Sequence, residues 1–145
     1  MGEYGDKAIT LAALAARVTT ALATGDSFSV APFKRFIAVC QFTNKDTDAG
    51  DTCDVYVDFS PDNGTTWLNG VHFTQALGNG AAATEFAVIE AVSPGVAVVD
   101  ATADAASGAV RPTLFGGLVR ARWVIVNVGG ADASFTFSVK LYCQS

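Results

Sequence analysis

The chain has 145 residues, enough for one domain, and half of them are hydrophobic, with ten Phe, two Trp and three Tyr; that excludes intrinsic disorder and supplies a sizeable core. Only 16% are charged, against about 25% in ordinary soluble domains, which points to an oligomer or a subunit whose neighbours cover part of it, although a soluble monomer padded with Ala, Gly, Ser and Thr has the same composition. The net charge of −5, the isoelectric point near 4.6 and basic residues only in ones and twos (Lys34-Arg35, Arg120 with Arg122) argue against nucleic-acid binding, which needs a basic stripe.

At the N-terminus, Ala21-Leu22-Ala23 resembles a signal cleavage site, but Glu3 and Asp6 against the single Lys7 have the wrong sign for a secretory signal. Asp6 also rules out a myristoylation start at Met1-Gly2. The apolar stretch 8–16 is shorter than the roughly 18 residues of a membrane span, so the chain reads as cytosolic in origin, with no membrane partner. Ile9, Leu11, Leu14, Ala15 and Val18 mark one face of a helix, whereas Thr19-Thr20 and Ser27-Phe28-Ser29-Val30 favour extended chain. The reading adopted is an N-terminal arm or first strand, residues 1–25, that packs on a neighbour, followed by a single domain over 26–145.

Strand signals dominate the rest. Residues 35–42 are apolar, β-branched and aromatic and end in a polar cluster over 43–51. Residues 52–59 alternate, with Cys53, Val55, Val57 and Phe59 on one face and Thr52, Asp54, Tyr56 and Asp58 on the other, the period of a half-buried strand. Further strands follow over 67–75, 84–92 and 95–100, the last two separated by the turn Ser93-Pro94-Gly95. Residues 118–128 are a run of Leu, Val, Arg, Trp and Ile stopped by Gly129-Gly130. Residues 134–143 alternate again, Phe135, Phe137, Val139 and Leu141 against Thr136, Ser138, Lys140 and Tyr142. These two, joined by 128–133, read as a hairpin. Short strands about ten residues apart, punctuated by turn residues, predict an all-β, antiparallel, jelly-roll-like β-sandwich. The Ala-, Gly-, Ser- and Asp-rich stretches 77–83 and 102–109 are long loops and candidate contact surfaces. Cys40, Cys53 and Cys143 form an odd set without C-x-x-C spacing, read as buried thiols.

The strongest local motif is Ser60-Pro61-Asp62-Asn63-Gly64-Thr65-Thr66-Trp67. It fits S-x-D-x-G-x-T-W and resembles the Asp-box turn of sialidases and related β-proteins. Asp62 can accept from the turn's own amides, Asn63-Gly64 supplies positive φ, and Trp67 packs under the hairpin. Ser60, Asp62, Asn63, Gly64, Thr66 and Trp67 are therefore read as a structural turn, since a sialidase needs several copies and an arginine cluster. Asp46, Asp48, Asp51 and Asp54 crowd one loop, but not in EF-hand order and with no closing glutamate; a solvated acidic loop is the plainer reading, and no metal site is assigned. A zinc site would need a fourth ligand beside the three cysteines, and the only histidine is His72.

His72 lies in a strand-like run with no nucleophile elbow nearby. Asp58, Glu85 and Glu90 are the only plausible paired acids, and no local context singles them out. The glycines at 78, 80, 116 and 117 match neither a phosphate loop nor a dinucleotide fingerprint. The expectation is no catalytic residue, no cofactor and no enzyme. Tyr56, Trp67 and Trp123 could form an aromatic platform, which keeps a carbohydrate-binding module open. If Trp123 points inward with Ala121 and Ile125, Arg120 and Arg122 share the opposite face with Val124 and Val126, as on a strand covered by a neighbouring subunit.

Taken together, the Ala/Thr-rich first strand, the strand over 36–42, the one leading into Ser60-Pro61-Asp62-Asn63-Gly64-Thr65-Thr66-Trp67, the Arg120-Ala121-Arg122-Trp123 strand and the final Ser134-Phe135-Thr136-Phe137-Ser138-Val139 resemble the small β-sandwich virion proteins of tailed bacteriophages, particularly capsid decoration (cement) proteins. The likeness covers roughly residues 9–143. It implies a homo-oligomer, a trimer by preference, made in the host cytoplasm, that sits on the capsid exterior and clamps the major capsid protein. Phage neck or tail adaptor proteins share such sandwiches. Ile9, Leu11, Leu14, Arg120 and Arg122 are the candidate subunit contacts, and deleting the arm is expected to leave a folded domain that no longer binds capsids.

Overall fold

A computed structural model describes residues 7–18, 22–90, 98–111, 117–129 and 132–145. Its strands, in chain order, are β1 (Lys7–Arg17), β2 (Leu22–Thr24), β3 (Phe28–Ser29), β4 (Arg35–Asn44), β5 (Thr52–Ser60), β6 (Leu68–His72), β7 (Ala76–Leu77), β8 (Ala83–Glu90), β9 (Ala109–Val110), β10 (Leu118–Val126) and β11 (Phe135–Gln144). No helix occurs among the described residues. A four-stranded sheet runs β1-β11-β4-β8, and a seven-stranded one runs β2-β10-β5-β6-β9, with β3 also paired to β10 and β7 to β5. The pairing is antiparallel throughout the described strands.

With the two-residue strands β3, β7 and β9 set aside, the remaining strands pair first with last, second with seventh, third with sixth and fourth with fifth. This is jelly-roll connectivity, a long antiparallel ribbon wrapped into two facing sheets. The predicted all-β sandwich is what the chain forms, and the period-two patterns of β5 and β11 put the expected residues inside. Cys53, Val55, Val57 and Phe59 of β5 face Phe135, Phe137, Val139 and Leu141 of β11 across one continuous core. Aromatic rings stitch the sheets together: Phe36 of β4 meets Phe59 of β5 at 5.6 Å, and Trp123 of β10 meets Phe137 of β11 edge-on at 5.7 Å.

One expectation is corrected. β10 and β11 do not form a hairpin; they lie in opposite sheets. Alternation identifies the buried face of each strand but not its partner, and both edges of each strand are taken elsewhere, β10 by β5 on one side and β2 and β3 on the other, β11 by β1 and β4. Of the two readings of the N-terminus, arm or first strand, the described part forms a strand. β1 pairs with β11 from Lys7↔Cys143 to Arg17↔Phe135, with two register shifts, and Ile9, Leu11 and Ala12 are buried in the core. Helical spacing fails here because the apolar residues of β1 are placed by those bulges rather than by a 3.6-residue period.

Of the strand expected over 95–100, the described residues 98–100 are irregular, and the turn Ser93-Pro94-Gly95 lies outside the described residues, as do Thr19-Thr20 and Gly130. The strand expected over 67–75 is the shorter β6 followed by β7.

Candidate interaction surface

The turn between β5 and β6 has the predicted chemistry. Asn63 and Gly64 adopt φ of 61° and 95°, the left-handed region that glycine enters at no steric cost. The Ser60 hydroxyl accepts from Gly64 N–H (2.7 Å) and donates to Asp62 Oδ1 (3.0 Å), which also accepts from Thr66 N–H (2.7 Å). The Thr66 bonds, with Ser60 adding to them, hold the Asp62 carboxyl below the usual carboxylate range. Trp67 lies beside this turn, its ring under the Arg120 guanidinium at 4.3 Å. The motif organises one end of the sandwich.

On the outer face of the seven-stranded sheet, register places Arg120 opposite Asp58 and Arg122 opposite Tyr56. Asp58, 2% exposed, accepts from Arg122 Nε (2.8 Å) and a terminal Arg122 nitrogen (3.1 Å), from Arg120 Nε (3.4 Å) and from Asn69 Nδ2 (3.1 Å). Arg122 goes on to donate to Asp104 at 2.6 Å and lies over the Tyr56 ring at 3.9 Å. Burial by itself disfavours the Arg122 cation, and the bonds from Asp58 and Asp104 more than reverse that, raising its pKa. Burial, then the nearby Asp54 charge, push Tyr56 up to about 12.

The loop before β9 lies over this face. Beyond Asp104, Ala105 N–H donates to Asn69 Oδ1, Ala105 C=O bonds His72 Nδ1 at 2.7 Å, Ser107 Oγ accepts from Gln75 N–H, and Arg111 donates to the Ala103 carbonyl. His72 Nε2 in turn meets Asp54 Oδ1 at 2.8 Å, so both ring nitrogens are engaged. The loop anticipated as a contact surface is spent on the protein's own sheet, and Arg120 and Arg122 find their partners within the chain. The aromatic platform is not there either. Trp123 belongs to the core, Tyr56 stacks with His72 beneath Arg122, and Trp67 lies beneath Arg120.

The opposite outer face, on the four-stranded sheet, is open. Register aligns two outward-facing rows across its strands: Ala8, Tyr142, Ile37 and Val88 in one, Thr10, Lys140, Val39 and Phe86 in the next. Phe86 is 71% exposed, Tyr142 41%, and Ile37, Val39 and Val88 are half-buried. Beyond them the Arg35–Glu90 ion pair, 3.3 Å, borders the face. No family model matches this chain, and neither curated proteins nor solved structures yield a match.

Of the candidate contacts, Ile9 and Leu11 are core residues and Leu14 is 55% exposed on β1. Sequence reasoning passed over Ile37, Val39, Phe86, Val88 and Tyr142. For Ile37 and Val39 the signal was the unbroken apolar run Phe36-Ile37-Ala38-Val39-Cys40, because a strand with one wet face alternates and this one does not.

Proposed function

We propose that this chain is a structural virion subunit, a capsid decoration protein that packs the open face of its four-stranded sheet against neighbouring subunits and catalyses nothing. The observation that carries the reading is the contrast between the two outer faces: one is covered by the chain's own loop and an ion network, the other presents Ile37, Val39, Phe86, Val88 and Tyr142 outward. Four strands about 4.8 Å apart and some eight residues long span roughly 500 Å² in projection for the whole face, of which the apolar residues are only a part. That is short of the roughly 800 Å² each partner contributes to a stable interface. One such contact is weak, and many copies on a repeating shell make it effective through avidity. Jelly rolls serve in viral capsids and in lectins alike, so the fold is an analogy here and the face is the argument.

Light scattering on the full chain is expected to give a trimer, and co-sedimentation with purified expanded capsids to give saturable binding on the shell exterior. Phe86→Glu, at an exposed edge position, should keep the fold by circular dichroism and weaken capsid binding about tenfold or more, the loss of one interfacial anchor. A monomer that ignores capsids, or is instead retained on immobilised glycans, would overturn the reading.

A further inference from the structure

The connections β4–β5, β7–β8 and β10–β11 meet at the end of the sandwich away from the Ser60–Trp67 turn, and they meet on aspartates. Asp54 has left the group for His72 and Gln75. Asp46, Asp48 and Asp51 each bring a carboxylate oxygen within 4.8 Å of the others. Asp46 is held by two backbone donors, Asp48 N–H on Oδ1 (2.7 Å) and Ser134 N–H on Oδ2 (2.8 Å). Asp51 is fully buried; its Oδ1 accepts from Val128 N–H at 2.8 Å, and its Oδ2 has no hydrogen-bond partner. Buried polar atoms are almost always paired, and a buried carboxylate oxygen with neither a donor nor a cation is among the costliest to leave alone. Among the described residues, the ion pairs of the chain reach none of the three aspartates. The ammonium of Lys45, adjacent to Asp46 in sequence, sits over the Phe42 ring.

We propose that Asp46, Asp48 and Asp51 bind one divalent cation of the calcium type through oxygen ligands alone. Ligands on opposite sides of a calcium ion lie about 4.6–5.2 Å apart, so oxygens within 4.8 Å of one another can share one ion. Each backbone donor occupies only one lone pair of its carboxylate oxygen and leaves the others for a metal. Asp48 is exposed, and the cluster opens into a depression lined by Thr47, Ala49, Val128 and Gly129, so water completes the six to eight oxygens that calcium takes. The EF-hand order is absent because one loop does not supply the cage. Asp46 leans on Ser134, the residue before β11, Asp51 on Val128, two residues after β10, and Gly78 N–H donates to the Asp51 carbonyl at 2.8 Å. The ion therefore ties together connections that cross between the two sheets, and the site acts as a clamp on that end of the fold.

The test uses the full chain stripped with EDTA and titrated with calcium chloride by calorimetry and by thermal unfolding, with magnesium chloride in parallel. The expected result is one calcium per chain and a midpoint rise of about 5–10 °C at a hundredfold excess over Kd, with a smaller response to magnesium. Asp48→Asn, at an exposed position, should keep the EDTA-state midpoint and weaken calcium binding about tenfold or more by removing ligand charge. Equal midpoints in calcium and EDTA would overturn the proposal. So would equal shifts from both cations that persist in Asp48→Asn, which mark screening of surface charge, or an Asp51→Asn chain more stable than the calcium-loaded wild type, which marks a proton shared between the carboxyls.

Discussion

Replacing Asp58 by alanine removes the one carboxylate that holds Arg122 and Arg120 to the outer face of the seven-stranded sheet. Asp58 and the Arg122 side chain are both largely buried, so the remaining guanidinium is left with Asp104 alone, at 2.6 Å. Breaking a buried ion pair from one side typically costs about 3–5 kcal/mol, because an uncompensated charge stays behind. For a chain of this size that lowers the unfolding midpoint by about 6–20 °C. Asp104 supplies an internal control: its side chain is 37% exposed, so Asp104→Ala should cost at most about 1 kcal/mol. A double change, Asp58→Val with Arg122→Val, removes both charges and should be less destabilising than Asp58→Ala by itself. Urea unfolding of the wild type, Asp58→Val, Arg122→Val and the double change closes a cycle whose coupling energy isolates the pair. The network would be refuted as a structural seal if Asp58→Ala lost less than about 1 kcal/mol, the range of an exposed pair, or if added salt weakened the wild type as much as the variant removes.

Further outcomes follow from the core and its edges. Cys40, Cys53 and Cys143 are all buried, and burial, with the Glu85 charge behind it, pushes Cys40 up to about 12; the native chain should resist a thiol reagent near pH 8 and take up three equivalents in guanidinium, and rapid native labelling would contradict the packing. Gly78→Ala would set a Cβ 1.9 Å from the Asp48 carbonyl oxygen, so the backbone must move at a cost of about 3 kcal/mol, read as an earlier urea midpoint. Deleting residues 1–17 strips β1 from the sheet. Ile9 and Leu11 are each worth about 1.5–3 kcal/mol by burial in a fold whose whole stability is about 5–15 kcal/mol, so the truncated chain should unfold or aggregate rather than persist as a folded domain. Leu14→Asp is the cleaner probe of contact: it should leave the midpoint within a few degrees and weaken assembly, and unchanged assembly would remove β1 from the interface.

What could be read ahead of the structure depended on how local its cause is. The Ser60–Trp67 turn was legible in full because its hydrogen bonds and positive φ angles lie within eight residues. The buried faces of β5 and β11 were legible because a period of two needs no knowledge of the partner strand. Pairing was not, and the β10–β11 hairpin failed for that reason: closeness in sequence is a fair guess in a meander and a wrong one in a jelly roll, where the seventh and eighth strands face each other across the core. The arginines show the same limit at the level of side chains. Alternation put Arg120 and Arg122 outside, where few charges and apolar neighbours spoke for a covering subunit. The cover is Asp58 together with a loop carrying Asp104, the former a pairing partner across the strand and the latter a residue 18 positions away in a stretch without any periodic signal. On the proposed reading, the low charge content that first pointed to assembly is matched by the other sheet, where Ile37, Val39, Phe86, Val88 and Tyr142 stand in register and Phe86 and Tyr142 are exposed.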